Sequence, residues 1–275
     1  MPKTRFVILV AAIGAMIAAV WLGPPDGGDI SLESLRTIWS DTLRDTDQLG
    51  LRATRMSDAD EMRLGREVAN QARERWNEDE EESAYAAIVA APLLPHVRRR
   101  GVQYQFRAIQ SDEVNAFALP GGYVFVTTGM LEFVQSKDEL AAVLGHEISH
   151  VDLRHPVERY QYGWKLRKVG AREAGALLSF AHWLVSVGYS QDQEVDADAQ
   201  GVRLAAEGGY DAAAVLLLFQ RMKVEFGEGA WAPAATPAGE LKRALGSVIG
   251  SYFRTHPPTE SRLRKLEALT RKRPR

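Results

Sequence analysis

The sequence predicts a mostly helical α+β domain with a small β-sheet beside its central helix. Three observations carry that expectation. Apolar residues recur at helical spacing behind capping serines, at Ser57, Ser136 and Ser190. Two short stretches, 102–108 and 115–128, carry β-branched and aromatic residues around Pro120-Gly121-Gly122. At 275 residues, with 45% hydrophobic and 25% charged side chains, the chain has enough apolar material for a sizeable core in one or two domains.

At the N-terminus, Lys3 and Arg5 precede residues 6–23, an uncharged and mostly apolar run. Its length is at the short end for a membrane-spanning helix. The layout also suits a secretory signal. No small-x-small cleavage site stands around Val20-Trp21-Leu22-Gly23-Pro24, and Trp21 suits the membrane interface, so an uncleaved anchor is favoured over a cleaved signal. The basic residues before the run, with Asp26 and Asp29 after it, keep the N-terminus cytoplasmic and carry the rest across. Residues 24–56 read as a linker, and residues 57–270 as the main domain.

Ser57 caps a predicted helix over 57–76, with Met62, Leu64, Val68 and Ala69 as its apolar positions. The acidic run 78–82 reads as a solvated loop. A helix is expected over 84–94, stopped by Pro95. Val102, Tyr104, Phe106 and Ala108 alternate with polar partners, the pattern of a half-buried strand. Residues 115–128 read as strand, Pro-Gly-Gly turn, strand. They directly precede the central helix, so Asn115, Ala116 and Phe117 are candidate substrate-lining residues.

The central helix opens at Ser136, with Glu139 completing an expected capping box. Leu140, Val143, Leu144, Ile148 and Val151 form its apolar stripe. Within it stands H-E-x-x-H. His146 and His150, four residues apart, lie one above the other on one face and can meet one ion. Glu147 sits beside them as a candidate general base. This is the arrangement of zinc-dependent hydrolases.

A catalytic zinc takes three protein ligands and keeps one open position. The variant H-E-x-x-H-x-x-G-x-x-H is excluded by register, because Leu153 and Pro156 hold the Gly and third His positions and His155 is one residue short. A second helix, opened by a Ser190/Gln193 capping box and ended at Gly208-Gly209, supplies Glu194 instead. Asp198 lies four residues on, on the same face, where it would accept a hydrogen bond from the outer nitrogen of a ligand histidine. Asp196 points elsewhere.

The apolar stretch 174–188 is too short for a normal span. A buried helix is the default, with a lid or membrane-dipping role as the alternative, and His182 within it reads as a packed histidine. Asp211 is expected to cap a helix ending near Phe226. Residues 227–250 look loop-rich. A last helix follows Pro257-Pro258, capped by Thr259, before a basic tail over 271–275. The net charge of −2 makes no case for nucleic acid, and the absence of cysteine excludes disulfides, a thiol nucleophile and a Cys-ligated zinc.

The combined motifs resemble the HtpX and type I CAAX prenyl protease family of membrane-associated metallopeptidases. They are Glu194-x-x-Ala197-Asp198 after H-E-x-x-H, Asn115-Ala116-Phe117-Ala118-Leu119-Pro120-Gly121-Gly122 before it, Glu61-x-x-Leu64-Gly65, and His256-Pro257 with Arg262 downstream. The resemblance implies a gluzincin-like fold, one zinc ion per chain and endopeptidase activity on protein or peptide substrates. It implies His146, His150 and Glu194 as ligands, Glu147 as the catalytic base and Asp198 as the acid behind a ligand histidine. It also implies quality control of membrane or envelope proteins. The single candidate span points to a single-anchor or periplasmic branch without helical-repeat extension. The expected place is the bacterial inner membrane with the catalytic domain on the periplasmic side, or the periplasm if the run is cleaved. A prenylated substrate is not expected.

His256 is a candidate donor to the tetrahedral oxyanion. Equally it is a candidate fourth ligand in a resting state. Two rivals to the peptidase are an anchored chaperone or assembly factor that keeps the fold, and a structural zinc protein closed by His256.

Overall fold

The computed structural model describes residues 56–160, 189–226, 252, 256 and 260–271. The expected anchor, nearly all of the 24–56 linker, the 174–188 stretch with His182, the 227–250 loop, the Pro257-Pro258-Thr259 helix entry and most of the tail lie outside them.

The described elements are α1 (Asp58–Arg75), β1 (Glu78–Asp79), α2 (Glu80–Ala90), a 3-10 helix (Ala91–His96), β2 (Gln105–Ile109), β3 (Ala116–Leu119), β4 (Tyr123–Thr127), α3 (Thr128–Phe133), α4 (Lys137–Asp152), α5 (Gln191–Glu207), α6 (Ala214–Phe226) and α7 (Glu260–Arg271). The sheet order is β1-β2-β4-β3. β2 and β4 are parallel, and the outer pairs are antiparallel. The fold is therefore mostly helical with one small sheet, as expected.

Both faces of the sheet are covered, which explains the near-continuous apolar run in β4. Side chains alternate across a strand. Ala108, Ala116, Ala118, Val124 and Val126 pack with Leu140, Leu144 and Ile148 of α4 and with Val89 of α2. Ile109, Phe117, Leu119, Tyr123 and Phe125 pack with Leu64, Val68 and Ala72 of α1. On that second face Phe117 stacks on Phe125 at 5.1 Å, and Trp76 meets both rings edge-on. Each such pair adds about 0.5–1.5 kcal/mol beyond its buried area.

The Pro-Gly-Gly turn is drawn against α1. Gly121 and Gly122 have φ of 80° and 96°, where only glycine sits without strain. The Gly121 N–H donates to Glu61 of α1 at 3.3 Å. A Cβ on Gly65 would lie 2.1 Å from the Pro120 carbonyl oxygen. Gly65→Ala is therefore expected to force α1 off the turn and destabilise the protein by about 1–3 kcal/mol. Urea unfolding would show a lower midpoint at unchanged slope. A parental midpoint would mean that α1 shifts off the turn at no cost.

Some local expectations need correction. The acidic run 78–82 is not a loop. Glu78 and Asp79 pair with Ile109 and Ala108, and Glu80–Glu82 form the first turn of α2. The physical reason is twofold. Asp79 accepts from the Glu82 N–H, and three acids at a helix N-terminus meet its positive dipole end. Helix α2 accordingly starts and ends earlier than expected. A 3-10 helix holding Pro92 and Pro95 continues it. Strand β2 begins at Gln105 rather than Val102. Asp211 accepts from the Ala213 N–H, so the chain turns once before α6 begins at Ala214. Ser136 does cap α4, but Glu139 reaches the Gln135 N–H and Arg221 rather than closing a box on Ser136.

Candidate metal centre

Helices α4 and α5 meet backbone to backbone. A Cβ on Gly201 would lie 3.1 Å from the His146 nitrogen, and one on Gly145 would lie 3.2 Å from the Gly201 oxygen. That close crossing brings the two half-sites together. The Ser190/Gln193 capping box forms as expected and starts α5 in the right phase. Glu194 and Asp198 then face the histidines of α4.

His146 and His150 bring their Nε2 atoms to 3.0 Å of each other. Glu194 Oε2 lies 3.5 Å from His146 Nε2, and its Oε1 lies 3.5 Å from His150 Nε2. His256 joins them, its Nδ1 2.9 Å from Glu194 Oε1 and 3.2 Å from His146 Nε2. The four residues are buried, and one donor atom from each lies within 4.8 Å of the others. His256 Nε2 also lies 3.4 Å from Glu147 Oε1. So His256 is placed among the donor atoms and beside the candidate base at once.

Asp198 stands behind His146, with its Oδ1 3.1 Å from Nδ1. Asp196 is exposed, as its phase on α5 requires. Arg262 of α7 binds both acids. Its Nε and Nη2 donate to the two Asp198 oxygens at 2.8 Å, and Nη1 lies 2.6 Å from Glu194 Oε2. Sequence reasoning gave Arg262 no role. Its signal was electrostatic: two buried acids on one helix face require a cation.

Burial opposes charge throughout this site, and the partners decide each outcome. On His146 the hydrogen bonds to Asp198 and Glu194 outweigh burial and raise the pKa to about 9. A cation held by Nε2 would displace that proton. His150 goes the other way, because burial dominates and holds its pKa well below the usual imidazole range. Burial would raise Glu194 and Asp198, but the charges of His256 and Arg262 on Glu194, and of Arg262 on Asp198, hold both below the usual carboxylate range. On Glu147 burial outweighs the charges of His256, 3.4 Å away, and of His146, and pushes its pKa up. Among the described residues neither Glu147 oxygen has a hydrogen-bond partner.

Tyr189 stacks on His150 at 3.7 Å and lends its hydroxyl to the Ala118 carbonyl of β3 at 3.4 Å. Tyr252 stacks on His256 at 4.6 Å. Neither aromatic was singled out from the sequence. Asn115, Ala116 and Phe117 are buried. Phe117 belongs to the aromatic cluster under α1, so this strand has its backbone, not these side chains, to offer a ligand. Among the described strands β3 is an edge of the sheet, and it lies against α4.

The model of Peptidase family M48 matches residues 82–270. Among curated relatives, the mitochondrial metalloendopeptidase OMA1 of Schizosaccharomyces pombe is 31% identical over 190 residues, which cover 66% of this chain and 51% of that protein. The metalloendopeptidase OMA1 of Bos taurus is 29% identical over 185 residues, covering 61% and 32%. The beta-barrel assembly-enhancing protease of Escherichia coli K12 is 27% identical over 157 residues, covering 50% and 32%. The chain thus spans about half of the first relative and about a third of the other two. The matched segment holds H-E-x-x-H, Glu194 and Arg262 together, and this chain belongs to peptidase family M48.

Proposed function

We propose that this protein is a zinc-dependent metalloendopeptidase that cleaves membrane or envelope proteins in quality control. The observation that carries this is Glu147. A fully buried carboxylate with no hydrogen-bond partner among the described residues is costly unless the site uses it. It stands beside four donors of the kinds that zinc prefers.

The residues fit one zinc ion per chain. His146, His150 and Glu194 would hold it, with Asp198 and Arg262 fixing the orientation of His146 and Glu194. When bound, zinc supplies Lewis-acid polarisation of a carbonyl and a lowered pKa for water. Glu147, its pKa raised by burial, takes a proton and returns it to the leaving amine. His256 either donates to the oxyanion or fills the fourth ligand position in a resting state. Its contacts to both Glu147 and Glu194 support either use. An extended substrate would add to the β3 edge through backbone hydrogen bonds, with Asn115, Ala116 and Phe117 at the near end of that strand.

Casein cleavage with and without a zinc chelator tests the reading. The parent protein is expected to cleave, to stop on chelation and to resume with added zinc. Cleavage that survives chelation would sink it. A second reading, an assembly factor or structural zinc protein, draws on His256 closing the site as a fourth ligand. A zinc-loaded protein that cleaves nothing would favour it.

Residues 6–23 support a membrane location, with the domain outside the cytoplasm. Among the described residues no helix is long and apolar enough to cross a membrane. Protease added to intact spheroplasts is expected to digest residues 57–270. Full protection would place the domain on the other side.

A further inference from the structure

The chain leaves α4 abruptly. Leu153 ends the helix, and Arg154 takes φ of 67°, among the described residues the one non-glycine position with positive φ. Such a conformation costs free energy and persists only where its surroundings hold it. Here they do. Arg154 donates to Asp58 at 2.8 Å and to the Met56 carbonyl, and lies 3.2 Å from Glu61. Residues 155–160 are then helical again.

The kink has one visible product. On an unbroken helix, residue 155 would lie about 140° around the axis from residue 150, on another face. The turn at Arg154 brings it back. The His155 Nδ1 lies 2.9 Å from the His150 Nδ1, and both rings are buried. The register that rules His155 out as a third ligand thus places it behind the second one.

We infer that His155 is a positioning residue for His150, accepting the His150 Nδ1–H on its own bare Nδ1 and so fixing which nitrogen His150 offers to a cation. The inference rests on the metallopeptidase reading of the site. The proton count leads to it. The His150 Nε2 faces His146 and Glu194 at 3.0 and 3.5 Å, so it must be bare to bind a cation. A neutral imidazole carries one proton, which then sits on Nδ1. Only one proton fits between two nitrogens 2.9 Å apart, so His155 accepts it. Tyr189, stacked on the ring at 3.7 Å, fixes the plane of His150 but cannot choose its tautomer. The two ligand histidines are thereby held by different chemistry, His146 by the Asp198 carboxylate and His150 by a second imidazole.

The test compares parent, His155→Asn and His155→Leu. The Asn side chain places an acceptor oxygen near the position of Nδ1, and Leu places none. Zinc affinity is measured by chelator competition, the visible spectrum with cobalt, and melting of the metal-free forms. The Leu variant is expected to lose about 10–100-fold in zinc affinity and to change its cobalt spectrum, with metal-free melting unchanged. The Asn variant is expected to stay close to the parent in both readouts. Parental affinity in the Leu variant would overturn the inference, as would equal losses in Asn and Leu. Should the Leu variant not fold, Asn decides alone, parental affinity and spectrum supporting the inference and their loss overturning it. A parent that holds no zinc would overturn the metallopeptidase reading and the inference with it, whereas a zinc-binding parent with indifferent variants overturns the inference only.

Discussion

Glu147→Gln is expected to keep about one zinc per chain while casein cleavage falls by roughly 10²–10⁴-fold, the range set by loss of a positioned acid–base group. The amide matches the carboxylate in size, so α4 and its two histidines should not move. What disappears is the ability to take a proton. Burial raises the pKa of Glu147 against the pull of His256 and His146, and a carboxylate made more basic in this way suits a general base. His256 lies 3.4 Å away and does not replace it, since it is itself engaged with Glu194 at 2.9 Å. Metal content and cleavage measured on one preparation separate the two roles. Parental cleavage by the Gln variant would leave the mechanism without its base.

Glu194→Ala should be the most damaging change to the metal site itself. It removes a donor atom, so zinc affinity is expected to collapse and activity with it. It also leaves Arg262 with one buried acid instead of two. Breaking a buried charge pair costs about 3–5 kcal/mol, so the metal-free melt should fall as well. Asp198→Asn keeps the shape and loses the charge behind His146, for an expected loss of about 10–100-fold in affinity. Asp196→Asn, on the exposed side of α5, should be nearly silent. Zinc analysis and casein cleavage rank the three. If Asp196→Asn is the harmful one while Glu194→Ala retains zinc, the wrong face of α5 has been assigned.

The halves of the site were legible because each is local. His146 and His150 share a face by spacing alone. Glu194 and Asp198 do too, and Ser190 with Gln193 announces where their helix begins. The strand–turn–strand at 115–128 was legible for the same reason: glycine, proline and β-branched residues act within a few positions. Distant partners were not legible. Arg262 answers a need created by two acids 64 residues earlier in the chain, for Asp198, and more for Glu194. Glu139 looked like half of a capping box, yet Arg221, from another helix, draws it away. The acidic run 78–82 looked like a loop because a charge run usually is one. Here Arg73 and Arg107 meet Glu78, and the helix end takes the rest.

The late position of Arg262 and His256 has a consequence for synthesis. A ribosome that has released residues up to 226 has made α4 and α5, with three of the four clustered donors. It has not yet made the cation that neutralises Glu194 and Asp198. Until α7 emerges, Glu194 and Asp198 have the imidazoles of α4 but not the Arg262 guanidinium, so the crossing of α4 over α5 lacks that counter-charge. The four-donor cluster with its Arg262 counter-charge can therefore be complete only once nearly the whole domain is out. Stalled chains ending before residue 252 should accordingly be digested readily by an added protease, and chains that expose residue 271 should resist. Equal resistance in both would mean that the helices close without Arg262.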